Sequence, residues 1–145
     1  MQDKIKALVK GSGVCALATV WGVDPHCSLM SYVADEEGRE IYLLTRKNTK
    51  KYRNLKENPS VSLLIDSRDM DPAHRGDRPQ ALTVSGTVQR ATDERRKAEI
   101  LRRLLARHPH LERLAVQPDA EVVVVRVKAF QLLDGITDAY YESVD

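Results

Sequence analysis

Apolar and polar positions alternate along most of this chain with a period of two, interrupted by stretches of helical period and by turn residues. Ile5, Leu8 and Val9 recur at helical spacing, and Gly11-Ser12-Gly13 stops that run. Residues 14–20 predict a strand in which larger side chains alternate with small ones. Trp21-Gly22-Val23-Asp24-Pro25 has turn chemistry, and residues 26–33 form the return strand. Asp35-Glu36-Glu37-Gly38 makes a second tight turn before a third strand over 39–45, centred on Ile41-Tyr42-Leu43-Leu44. A helix follows over 48–57, and Asn58-Pro59 ends it because a residue before proline avoids the helical region. Residues 60–65 are strand again, 66–78 read as an exposed charged loop, and 80–90 form a long strand.

Thr92 is positioned to cap the next helix, with Asp93 and Glu94 in its first turn complementing the dipole. Ile100, Leu101, Leu104, Leu105 and His108 share one face of that helix, and Asp93–Lys97 and Glu99–Arg103 are i,i+4 pairs on the other. Residues 121–133 form the last strand. Six strands, mostly hairpin-linked, and three helices predict an α+β fold: a six-stranded antiparallel, barrel-like sheet with peripheral helices. A doubly wound α/β sheet would need strands alternating regularly with crossover helices. With no repeat and no long linker, residues 1–145 read as one domain.

Composition narrows the function. Lys plus Arg is 23 against 21 for Asp plus Glu, a formal net charge of +2, which excludes a globally basic nucleic-acid binder. Apolar residues at 42% are too many for intrinsic disorder, and no apolar run approaches the roughly 18–20 residues of a membrane span. The start of the chain, Met1-Gln2-Asp3-Lys4-Ile5-Lys6, lacks the apolar core of a secretory signal, so a cytoplasmic location is expected. The two cysteines agree. On one hairpin Cys27 falls opposite about residue 20, far from Cys15, which predicts two reduced thiols rather than a disulfide.

Gly11-Ser12-Gly13-Val14-Cys15-Ala16 matches the dinucleotide fingerprint as a string, but that motif works only between a strand and a helix, and here the helix comes first. The informative segment is Thr45-Arg46-Lys47-Asn48-Thr49-Lys50-Lys51-Tyr52-Arg53, where five cations crowd the handover from a strand to a helix start. Free N–H groups, the hydroxyls of Thr45 and Thr49, and Lys50 or Lys51 can converge there on one phosphate. Cations at a helix N-terminus cost roughly 0.3–1 kcal/mol each unless an anion compensates, so the segment predicts an anion site.

The stretch from Cys15 to Ile65 resembles the pyridoxamine-5′-phosphate-oxidase-like flavoproteins, split β-barrels that bind FMN. The resemblance rests on Leu17-Ala18-Thr19, the Gly22-Val23-Asp24-Pro25 turn, Ser28-Leu29-Met30, the acidic-Gly turn and Leu44-Thr45. It continues through Thr49-Lys50-Lys51, Asn54-Leu55 and residues 57–64, and more loosely through Val84-Ser85-Gly86. It implies a homodimer with FMN at the subunit interface and a small-molecule electron donor or acceptor. Thr49, Lys50 and Lys51 would grip the flavin phosphate, Thr45 with Leu44 would line the flavin, and the backbone of Ser28, Leu29 and Met30 would follow the ring edge.

Departures from the family accompany these matches. The true oxidases carry an Arg where this chain has Ser28, a loss Arg46 is placed to replace. They carry a substrate-phosphate Lys where this chain has Val33, and their C-terminal Arg-x-His pair is absent. The resemblance therefore implies an FMN-dependent oxidoreductase that does not oxidise vitamin B6; related split barrels imply two alternatives, a haem-binding or haem-degrading protein and a non-enzymatic flavin module. No nucleic-acid or membrane partner is expected.

Other residues take plainer readings. His108-Pro109-His110 reads as a helix end, the Arg95 to Arg107 cations as a solvated helix face, and Asp66, Asp69, Asp71 and His74 as a polar loop. Trp21 is either a core cap or an aromatic beside the flavin.

Overall fold

A computed structural model describes residues 2–73, 78–91 and 93–144. The helical spacing of Ile5, Leu8 and Val9 becomes α1 (Asp3–Gly11), which buries all three against the end of the sheet. The alternation that follows becomes the hairpin of β1 (Val14–Trp21) and β2 (Asp24–Ser31). Its two-residue turn is Gly22-Val23, with Gly22 at φ 62°, a conformation that favours glycine. The chain continues through β3 (Val33–Ala34), β4 (Glu40–Arg46), α2 (Lys50–Glu57), β5 (Ser60–Asp66) and β6 (Gln80–Gln89). It ends with α3 (Glu94–Arg107), the short α4 (Glu112–Ala115), β7 (Ala120–Asp134) and β8 (Asp138–Ser143).

All pairings are antiparallel, in the order β2-β1-β5-β6-β7-β4-β3, with β8 also on β7. β7 explains its own length. One edge pairs with β6 from Val124 to Asp134, while the other is shared by β4 against its first half and β8 against its second. The register shifts at Ser85/Gly86, which leaves Lys128 as the extra residue of a bulge in β7; a Cβ on Gly86 would stand 2.6 Å from Val125 Cγ1 and 2.8 Å from the Arg126 carbonyl oxygen. The curled sheet encloses Leu17, Leu63, Val84 and Phe130. A second cluster packs Ile100 and Leu104 of α3 onto Leu44 and Val124 on the other face of β4 and β7.

The fold is the expected α+β split barrel, with two more strands than the six predicted. The strand expected over 26–33 divides at Tyr32: up to Ser31 the chain pairs with β1, and from Val33 it pairs with β4 instead. β8 follows a tight turn with Gly135 at φ 75°; the Asp134-Gly135 pair was its turn signal. Thr92 lies outside the described residues, and Asp93 caps α3 by accepting from the Arg95 N–H at 2.9 Å. The expected i,i+4 partners of α3 look elsewhere: Lys97 meets Glu121 at 3.3 Å, and Arg103 donates to the Ala34 carbonyl at 2.7 Å. Cys15 points inward and Cys27 outward, opposite Met30 and Ala18 respectively, and both are free thiols. Burial pushes the Cys15 thiol up to about 12. Among the described residues no helix is long and apolar enough to cross a membrane.

Candidate cofactor site

The basic segment folds as a strand end, a two-point brace and a helix start. Thr49 is the N-cap of α2: its Oγ1 accepts from the Tyr52 N–H at 3.2 Å, and its hydroxyl donates to the Arg46 carbonyl at 2.8 Å. Behind it stands a carboxylate that pattern reading missed. Asp119, in the turn before β7, accepts from Arg46 Nε at 2.8 Å and from the Asn48 N–H at 3.2 Å, and its carbonyl accepts from the Lys47 N–H at 2.8 Å. The Arg46 guanidinium, helped by the Asn48 N–H, holds the Asp119 carboxyl below the usual carboxylate range. Lys47 meets Glu121 at 3.5 Å. Part of the anion anticipated at this helix start is thus supplied by the chain, and Arg46 is engaged with Asp119 rather than released to replace a missing phosphate ligand.

The remaining cations divide. Lys50 is exposed. Arg53 stacks over Trp21 with its guanidinium carbon 4.6 Å from the ring centroid, so Trp21 is a partly exposed platform for α2 rather than a core cap. Lys51 turns inward and is half-buried; its Nζ lies 3.0 Å from Met30 Sδ, a weak acceptor, and burial holds its pKa below the ordinary lysine range. A desolvated ammonium with only a thioether against it is poorly compensated.

Three buried polar atoms also have no hydrogen-bond partner among the described residues: Ser28 Oγ, Thr45 Oγ1 and Asn54 Oδ1. Asn54, one turn after Lys51 on α2, donates from Nδ2 to Thr19 Oγ1 at 3.1 Å, which leaves its carbonyl oxygen over. Ser28 and Met30 alternate on the inner face of β2, and Thr45 follows Ile41 and Leu43 along the inner face of β4. The structure thus brings Lys51 to Met30 and Asn54 to Thr19 under α2, with Ser28 on the same face of β2 as Met30, and puts Thr45 on the inner face of β4; Asn54's signal was a polar residue on the buried stripe of an amphipathic helix. It does not place the others there. Leu29 points outward beside Leu64 and Ala16, Leu44 packs into the α3 cluster, and Thr49 is consumed by the cap.

Lys51, Ser28, Thr45 and Asn54 carry an ammonium, two hydroxyls and an amide oxygen that lack polar partners among the described residues, the group types that a flavin's phosphate and polar ring edge require. The alternative polar clusters do not compete. Asp66 is bound by Arg68 at 2.7 Å, and His74 lies outside the described residues. Among the described residues no group of three or more His, Cys, Asp or Glu could hold a metal. His108 Nε2 lies 2.8 Å from the Tyr32 carbonyl and His110 Nε2 3.3 Å from Ser31 Oγ, which ties both to the helix end.

Comparisons with known proteins bear on the fold and the family. The chain superposes on a structure described as a haem-binding protein from Mycobacterium smegmatis with a TM-score of 0.81 and 21% identity, over 97% of this chain and 57% of that one. The chain therefore spans little more than half of that protein. A FAD-binding protein from Mesorhizobium loti matches at TM-score 0.70 and 15% identity over 93% and 96% of the two chains. A structure described as an F420 reductase matches at 0.68 and 28% identity over 90% and 98%. No curated protein sequence matches the chain. The sequence profile of the pyridoxamine 5′-phosphate oxidase family matches residues 1–134, and with the split barrel in place the chain belongs to that family.

Proposed function

We propose that this protein is an FMN-binding flavoprotein with an oxidoreductase role, acting as a homodimer with the flavin at the subunit interface. The observation that carries the reading is Lys51: a half-buried ammonium at the start of α2 that faces no carboxylate among the described residues and lies against Met30 Sδ at 3.0 Å. Lys51 and Lys50 would hold the phosphate, with Ser28 and Thr45 supplying hydroxyls and Asn54 an amide oxygen toward the ring. A bound flavin supplies hydride or electron chemistry; the chain binds it, orients it and excludes water from its inner face. One helix start offers one phosphate site, which favours FMN over FAD.

Pyridoxamine phosphate is a poor candidate for substrate. Ser28 brings no cation, and Val33 packs in the cluster under α3 with Tyr42 and Leu44. Denaturing the purified protein and identifying the released chromophore by mass tests the reading. FMN at one per chain is expected. Stoichiometric FAD would remove the single-phosphate argument, and a Soret band from released haem would replace the flavin altogether. Reduction of the bound flavin by NADH or NADPH, with turnover on any acceptor, separates an oxidoreductase from a module that only holds flavin.

A further inference from the structure

α2 presents Lys51 and Asn54 to β2 and β1, and it uses its other side for something else. Tyr52, Arg53 and Lys56, with Leu55 at the base, form one wall of a groove of about 840 Å³. The opposite wall is the end of β6 with Arg90 and Ala91, the beginning of β7 and Lys97 of α3. This volume falls in the range of small-molecule sites, about 300–1,000 Å³. The floor is apolar, built from Leu55, Val88, Ala91 and Val123. The rim carries Lys47, Arg53, Lys56, Arg90 and Lys97 against one carboxylate, Glu121.

The charges are unevenly satisfied. Glu121 holds Lys47 at 3.5 Å and Lys97 at 3.3 Å, and Arg53 lies on Trp21. Lys56 and Arg90 have no ion-pair partner among the described residues. Like charges gathered around a low-dielectric floor repel one another and focus a positive potential into the groove. An apolar floor alone would suit a neutral ligand, and a cationic rim alone would suit an inorganic anion. Only a ligand with both an apolar body and separated acidic groups satisfies both surfaces. We infer that the groove between α2 and the ends of β6 and β7 binds a small organic polyanion, its flat or elongated apolar body on Leu55, Val88 and Val123 and its carboxylate or phosphate groups on Lys56 and Arg90. This site is separate from the Lys51 side of the helix and does not depend on the flavin reading.

Fluorescence titration of the whole protein with bis-ANS, an aromatic dimer bearing two sulfonates, tests the inference, with uncharged N-phenylnaphthylamine as the comparison. The wild type should bind bis-ANS at one tight site per chain, weakening as salt rises, and the uncharged probe at least about tenfold more weakly. Lys56→Ala combined with Arg90→Ala should weaken bis-ANS about tenfold to a hundredfold. Both side chains are exposed, so the thermal transition should stay in place. The same double variant should keep wild-type FMN affinity, so failure of the flavin reading and failure of the groove register in different titrations. Unchanged bis-ANS binding in the double variant, equal binding of the uncharged probe, or loss of binding in Leu29→Ser on the outer face of β2 instead would each overturn the inference.

Discussion

Lys51 and Lys56 are five positions apart on one helix and have opposite environments. Lys51 is half-buried against Met30 Sδ, whereas Lys56 is exposed on the groove side. In the proposed flavoprotein, Lys51→Ala removes one charge-assisted contact to phosphate, worth about 1.5–3 kcal/mol. FMN affinity should fall roughly tenfold to a hundredfold, measured by flavin fluorescence quenching. Folding should survive, because the apo protein sheds a poorly compensated cation near a helix N-terminus. Lys56→Ala should leave FMN binding unchanged. Equal losses from both would make the effect diffuse electrostatics, and no loss from either would put the phosphate elsewhere.

At the scale of elements, the start of α2 is held by two different devices. Thr49 caps it, and Asp119 ties the preceding turn to β7. Thr49→Ala should cost about 0.5–2 kcal/mol in urea unfolding; the same substitution should weaken FMN because the grip loses its fixed geometry. A stability loss with FMN affinity intact would show that the cap does not position Lys51. The other inter-element link is electrostatic. Lys4 of α1 donates to Asp134 Oδ2 at the end of β7 at 2.8 Å, and Gln80 Nε2 approaches the other oxygen at 3.4 Å. Lys4 first, then Gln80, hold the Asp134 carboxyl below the usual range. Because folding lowers this pKa, the pair stabilises the protein above the unfolded aspartate value of about 3.9, and that contribution is lost as pH falls through the folded value. Lys4→Met should therefore melt lower than wild type at neutral pH and converge with it in acid below the folded pKa. A gap that persists there would be a packing effect.

For the whole molecule, the outer face of β2, β1 and β5 is the surface the fold leaves open. Leu29 and Leu64 both flank Ala16 there and are 78% and 46% exposed, with Ala18 and Cys27 continuing the strip. A two-fold contact through a self-complementary patch is the commonest way to cover such a face. Leu29→Asp combined with Leu64→Asp should convert the proposed dimer to a monomer in sedimentation equilibrium. A variant that remains dimeric would move the interface to another face.

What was legible in the sequence is what local physics controls. The period of two marked the strands, Asn58-Pro59 ended α2, and clustered cations at its start marked an anion site. Helix-before-strand order was enough to dismiss the glycine-rich string, and the ordered motifs over about fifty residues carried the family. The tertiary structure decided which of the cations are free. Arg46 and Lys47 look identical to Lys50 and Lys51 along the chain, but the pairing of β4 with β7 brings Asp119 and Glu121 from more than seventy residues away and neutralises the first two. Alternation within strands likewise sends Leu44 and Leu29 away from neighbours they adjoin in sequence. The groove between α2 and the ends of β6 and β7 had no signature at all, because Lys56, Arg90 and Lys97 share a surface only after three separate elements have packed. Local propensities are set by nearest neighbours along the chain; charge balance is set by neighbours in space, and those exist only once the sheet has closed.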